Sequence, residues 1–287
     1  MIKLLTFFTA VVFLASCNKD SATYAPKINF VFKFDSTQVR LNNLGQVTPL
    51  TPGHKAQSPR FNVMSAHYVE LDPNPFTAIG GGQVLYKAPE TTAGGANAID
   101  FSKSIFAGDG QTFLSIPIGS VSPGSYNWLR VSLAYQNYNI TMTAAGNNFT
   151  ATVASFIGFR SYIQNYKVKD STVIVNGNRD QGYWAFEAST SGYGILRSGQ
   201  APAGATTVPN PIFASSPIPA GSCLVTGQFA APFIVTGNET SDITVVVSLS
   251  TNKSFEWIDA DGNNTYDPLN GDAVVDMGIR GLIPIKQ

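Results

Sequence analysis

A chain of 287 residues with 18 basic and 18 acidic side chains and no long basic stripe lacks the electrostatic footprint of nucleic-acid binding. Two cysteines are too few for a disulfide framework. Only 13% of residues are charged, beside 26 Gly, 17 Pro and 19 Phe, which suits a β-rich exported chain long enough for one large or two small domains.

Met1-Ile2-Lys3 is a short basic start. Leu4 to Leu14 is apolar apart from Thr6 and Thr9, and Leu14-Ala15-Ser16-Cys17 runs into polar Asn18-Lys19-Asp20-Ser21. A positive end, a short apolar run and small residues before a cut predict a secretory signal peptide. The run is about eleven residues, short of the ~20 that span a bilayer. Leu-Ala-Ser-Cys resembles the lipobox of bacterial lipoproteins, which implies a signal peptide over 1–16, lipidation of Cys17 and a polar tether over 17–26. In that family the cysteine sulfur takes a diacylglycerol and its freed amine a third acyl chain. Such anchoring is stable, since each buried CH₂ contributes about 0.8 kcal/mol. Loss of Lys3 with the leader leaves one more acidic than basic residue. Position two of the mature chain is Asn18 rather than the Asp that resembles an inner-membrane retention signal. Asn18-Lys19-Asp20 also resembles the Lys-plus-acid tags of surface-exposed Bacteroidetes lipoproteins. Both resemblances imply the outer membrane, with the lipid anchor as membrane partner.

Ile28 to Phe34 places four apolar residues on one face of a strand. Gly45 to Pro59 is loop-like; Phe61 to Leu71 alternates as a second strand; Gln83 to Tyr86 is a short one. Phe113 to Ile118 and Tyr126 to Ala134 read as strands around Pro123-Gly124, and Ile140 to Thr143 with Phe149 to Phe159 as a hairpin across Gly146-Asn147-Asn148. Thr172 to Val175 and Tyr183 to Ala188 are strand-like across Asn176-Gly177-Asn178. Gln200 to Pro219 is a long loop, and Cys223 to Phe229, Ile243 to Ser250 and Phe255 to Ile258 close the series, with a final strand at Val274-Val275. No helical period is sustained. The expected fold is all-β, an antiparallel β-sandwich. A sandwich domain over 27–165 is followed by a second β-rich domain, or a continuation of the same sandwich, over 166–287. The small charged stretch Lys167-Val168-Lys169-Asp170 marks the boundary.

The sharpest local signal is Asp259-Ala260-Asp261-Gly262-Asn263-Asn264-Thr265-Tyr266-Asp267. Oxygen side chains at relative positions one, three, five and nine, with the Thr265 carbonyl at seven, have the ligand spacing of a calcium loop. Asn264 stands where Gly is usual, and Asn270 where a bidentate Glu is usual; Asp272 is the expected substitute. The expected ligands of a weak, structural calcium over 259–272 are therefore Asp259, Asp261, Asn263, Thr265, Asp267 and Asp272. The loop resembles the helix-free calcium loops of extracellular bacterial modules; the alternative is a solvated turn rich in Asp and Asn.

Catalytic signals are poor. His54 lies in a Pro/Gly loop, and His67 in a strand with Phe61, Val63 and Val69 on its face, so neither has the context of a triad or zinc site. Cys223 reads as a buried, inert thiol. Gly80-Gly81-Gly82 lacks the helix and Lys-Ser/Thr of a phosphate loop, and no carboxylate pair with defined spacing stands out beyond Asp259. Aromatics including Phe30, Phe32, Tyr126, Trp128, Tyr135, Tyr138, Tyr183, Trp184 and Trp257 read mostly as core, with an exposed remainder able to stack on sugars. Ser115-Ile116-Pro117-Ile118 through Pro123 to Val131 resembles a stretch of β-rich lipoproteins, including the MbnP-like copper-associated family, although this chain lacks the histidines that copper would want. Asp20-Ser21-Ala22, Asp35-Ser36-Thr37 and Asp170-Ser171-Thr172 resemble Bacteroidetes O-glycosylation triplets.

Together these readings give a lipid-anchored outer-membrane lipoprotein with a non-enzymatic binding, adhesion or assembly role and a glycan or protein partner at the cell surface. A carbohydrate-binding accessory lipoprotein is the first alternative, favoured by a row of exposed coplanar aromatics. A hydrolase using acidic residues is the second, favoured by a deep pocket with two carboxylates about 5–10 Å apart.

Overall fold

The computed structural model describes residues 24–190, 193–201, 210–215 and 223–287, so the expected signal peptide, Cys17 and most of the tether lie outside the described residues. The fold is all-β. In chain order the strands are β1 (Lys27–Asp35), β2 (His54–Gln57), β3 (Arg60–Asp72), β4 (Gln83–Lys87), β5 (Glu90–Thr91), β6 (Ala98–Asp100), β7 (Gln111–Pro117), β8 (Gly124–Ala144) and β9 (Asn147–Phe156). They continue as β10 (Ser161–Lys167), β11 (Thr172–Arg179), β12 (Tyr183–Thr190), β13 (Tyr193–Gln200), β14 (Leu224–Val235), β15 (Ile243–Ser250), β16 (Phe255–Ile258), β17 (Ala273–Met277) and β18 (Leu282–Lys286). Among the described residues, helix is confined to short 3₁₀ turns, and no helix is long and apolar enough to cross a membrane.

The central layer is a seven-stranded antiparallel sheet in the order β13-β12-β9-β8-β3-β4, with β14 also paired to β8. One face carries the four-stranded sheet β18-β15-β1-β7 and the three-stranded sheet β17-β16-β2. Ile28, Phe30 and Phe32 of β1 and Val245, Val247 and Leu249 of β15 pack there with Leu129, Val131, Tyr138 and Ile140 of β8. The opposite face packs Tyr135, Ala154 and Phe156 against Ile163 and Tyr166 of the sheet β11-β10-β6-β5. Each strand that alternates apolar and polar residues thus buries one row of side chains, the main favourable term of folding.

Several details differ from the sequence reading. Among the described residues two pairs are parallel, β1 with β15 and β6 with β10; both join strands remote in sequence, so no hairpin dictates their direction. Strands from either side of residue 165 share sheets, since β1 pairs with β15 and β2 with β16, which is no departure from the continuous-sandwich alternative for 166–287. Tyr126 to Ala134 and Ile140 to Thr143 belong to one strand, β8. Its buried row runs through Leu129, Val131 and Leu133 and then shifts phase to Tyr138, Ile140 and Met142. The shift falls where β14, paired to residues 124–132, gives way to β9, paired to residues 135–144. The polar run at the shift resembles a loop but is buried, and its amide nitrogens are held: Gln136 Nε2 donates to Ser155 Oγ at 2.9 Å and Asn137 Nδ2 to the Val168 carbonyl at 2.8 Å. The hairpin to β9 turns at Ala145-Gly146, both at positive φ, the geometry of a two-residue turn. β11 continues through Asn176-Gly177-Asn178, β2 lies inside the stretch read as a loop, and β5, β6, β10, β13 and β18 have no counterpart in the sequence reading.

Candidate functional site

The loop between β16 and β17 turns back on itself through carboxylate-to-backbone bonds. Asp259 accepts from the backbone N–H groups of Gly262 (3.0 Å) and Asn264 (2.9 Å), the latter at φ +63°. Asp272 spans the loop, accepting from Ala260 (2.8 Å) and Asp267 (2.7 Å). Asp261 accepts from Asn263, backbone and side chain. Carboxylate oxygens of Asp259, Asp261 and Asp272 lie within 4.8 Å of one another. Asp267 is not in that group: its Oδ1 caps the 3₁₀ turn Pro268–Asn270 by accepting from Leu269 N–H at 3.1 Å. Asn263 Oδ1 accepts from the backbone and hydroxyl of Thr265, both at 2.7 Å. Tyr266 docks the loop, its ring against Phe255 and Trp257 and its carbonyl accepting from Thr143.

The two histidines stand apart, each against a glutamate. His54 Nδ1 is 3.1 Å from Glu256, which also binds Arg40, while Arg280 binds Asp276 in the same buried cluster. His67 does not share the face of Phe61 and Val69, because β3 carries three register shifts against β8 that move its buried row. It stacks on Phe159 and bonds Glu90 at 2.9 Å, and burial holds its imidazole below the usual value. Cys223 is buried, its thiol pushed up to about 12 by burial, which disfavours the reactive thiolate.

A carboxylate pair missed in the sequence lies on β3. Glu70 and Asp72, two apart on a strand and so on one face, meet Arg130 of β8, and all three side chains are fully buried. Arg130 Nη1 donates to Glu70 at 3.1 Å, while Asp72 lies 3.3 Å from the same nitrogen without hydrogen-bond geometry. Burial, aided by the Glu70 charge and opposed by Arg130, pushes the Asp72 carboxyl up to about 7. The acid-x-acid spacing was the available signal.

A cleft of about 540 Å³ open to solvent lies between the central sheet and the β16–β17 hairpin. Ile140, Val153, Trp184 and Phe186 of the central sheet line it on one side and Phe255, Val274 and Met277 of the hairpin on the other, with Tyr266 and Pro268 of the acidic loop also in the lining. Arg197 and Gln200 of β13 and Asp276 of β17 supply charged and amide groups. Of the aromatics considered for stacking, Phe30, Phe32, Tyr135, Tyr138, Tyr183 and Trp257 are buried, whereas Tyr126, Trp128 and Trp184 are half-buried. Comparison with family models, curated proteins and solved structures finds no match to this chain.

Proposed function

We propose that this chain is a lipid-anchored outer-membrane lipoprotein that binds a small ligand in the β12–β17 cleft and catalyses no reaction. The observation that carries the binding role is the cleft itself: its volume falls within the ~300–1,000 Å³ of ligand sites, and its walls are apolar with a few polar groups, as such sites are. The non-enzymatic reading is supported by the acid–base groups: Glu70, Asp72 and Arg130 are sealed from water, and Glu256 and Asp276 are committed to arginines. The test is a thermal-shift screen of the detergent-extracted lipoprotein against sugars, aromatic acids and short peptides. At least one class should raise Tm, and Trp184→Ala should remove the rise. Ligands that shift wild type and variant alike would place binding elsewhere, and turnover of any compound would overturn the non-enzymatic role.

The anchor is tested separately. With Leu14-Ala15-Ser16-Cys17 read as a lipobox, Cys17→Ser should abolish acyl labelling and leave the precursor uncut. A mature N-terminus elsewhere, by mass spectrometry, would refute it.

Calcium at the Asp259 loop has its own measurement. An ion bound only by the folded state stabilises by RT ln(1 + [Ca²⁺]/Kd), about 1.4 kcal/mol at ten times Kd. Millimolar calcium should then raise Tm by ~2–3 °C. Asp261→Ala should abolish the rise, because its carboxylate is one of the three that converge. Identical melts in calcium and in chelator would leave the loop as an Asp- and Asn-rich turn.

A further inference from the structure

The cleft has a chemistry that narrows its ligand. Trp184 of β12 pairs with Gly199 of β13. A Cβ built at Gly199 would lie 3.1 Å from Cζ2 and 3.4 Å from Cε2 of the indole, so the ring rests against bare backbone where any larger residue would lift it. The same ring lines the cleft. Glycine here creates an aromatic platform braced from beneath. Beside it, Phe186 pairs with Arg197 two residues along the same ladder, which puts apolar wall and guanidinium on one face.

The polar groups are unevenly committed. Asp276 is bound by Arg280, with Arg40 3.8 Å away, so its charge is balanced inside the protein. Gln200 donates through Nε2 to the Gln181 carbonyl at 2.8 Å, leaving its amide oxygen as an acceptor. Arg197 donates through Nη1 to the carbonyl of Leu196, and among the described residues no carboxylate lies within ion-pair distance of it. An exposed cation thus lines an apolar, aromatic cleft with no carboxylate paired to it among the described residues. A hydroxyl-rich sugar buried there would leave most of its hydroxyls unpaired, at a cost for each. A flat apolar ring loses nothing by that burial, and an anionic group on it would meet Arg197, whose guanidinium favours carboxylates.

Resting on the cleft-binding reading, we infer that the ligand is a small planar organic anion, an aromatic ring bearing a carboxylate, stacked on Trp184 and paired with Arg197. The test uses 2-naphthoate and its uncharged counterpart 2-naphthalenemethanol, titrated calorimetrically into the detergent-extracted lipoprotein with micelle blanks subtracted. Naphthoate should bind one per chain and at least tenfold more tightly than the alcohol. Arg197→Gln should remove that tenfold preference and leave the alcohol unchanged. Trp184→Ala should weaken both at least tenfold. Gly199→Ala, which lifts the ring without deleting it, should weaken both severalfold while the circular dichroism stays that of wild type. Equal affinity for acid and alcohol, with both lost in Trp184→Ala, would overturn the anion and leave the binding cleft standing. Glucose binding more tightly than naphthoate would likewise replace the ring anion with a sugar. Affinities untouched by Trp184→Ala and Gly199→Ala would overturn both readings.

Discussion

Arg130→Met is expected to destabilise the protein by about 3–5 kcal/mol at pH 8, because it strands two buried carboxylates that share one cation. Arg130 also donates to the Pro75 carbonyl at 3.1 Å, so the variant orphans a backbone acceptor as well. The pocket has no slack: a Cβ on Gly82 would sit 2.2 Å from Asp72 Oδ1. The loss should shrink at pH 5. Burial raises the Glu70 carboxyl, and that of Asp72 to about 7 from 3.8, so protons can neutralise what the arginine no longer does. In the wild type the sign follows from the same displacement. A carboxyl raised in the folded state contributes stability that is complete below about pH 4 and is lost as pH rises towards about 7. Asp72→Asn fixes the neutral form, so it should match wild type near pH 4 and exceed it at pH 8 by on the order of 2–4 kcal/mol, since each tenfold change in proton affinity is worth about 1.4 kcal/mol. Combining Glu70→Gln, Asp72→Asn and Arg130→Met should restore most of the stability lost in Arg130→Met, since removing a whole buried ionic cluster costs far less than breaking it. Urea unfolding at the three pH values measures all of this. A loss under ~1 kcal/mol for Arg130→Met at pH 8 would mean that water reaches the carboxylates.

Gly158→Ala is expected to cost about 3 kcal/mol or more and to lower soluble yield. Its Cβ would lie 1.9 Å from the Leu133 carbonyl oxygen and 2.9 Å from the Ala134 Cα, both backbone atoms of the longest strand. Overpacking against backbone is relieved only by moving strands. The position is where β8 changes partners: Ile157 N–H donates to the Ala134 carbonyl, Cys223 N–H donates to the Ile157 carbonyl, and β14 takes over from β9. Gly119→Ala is the matched control. Nothing lies within 4 Å of a Cβ there and its φ is ordinary, so the change should be neutral or stabilise by up to about 1 kcal/mol through the unfolded chain. Equal melting temperatures for the two variants would sink the argument.

The sequence by itself determined the class of fold and much of the strand map, because a half-buried strand writes its burial into alternate residues: Ile28, Phe30 and Phe32 are apolar because that row faces the core. It also located the acidic loop, whose spacing brings Asp259, Asp261 and Asp272 together through local bonds to nearby backbone. The tertiary structure alone decided features in which partners are remote in the chain. The bulges of β3 move His67 off the face its neighbours suggest. The continuity of β8 depends on β9 and β14 sharing one edge. Arg130 meets Glu70 and Asp72 only once β3 lies beside β8, and Asp267 turns from the converging carboxylates because its own turn needs a cap. The cleft is the extreme case: Trp184 and Gly199 are ordinary as sequence, and become a platform only because pairing sets one upon the other opposite a hairpin some seventy residues further on. Short-range spacing fixes local hydrogen bonds and faces, whereas burial, pairing and shape are properties of chain segments that meet only in the folded state.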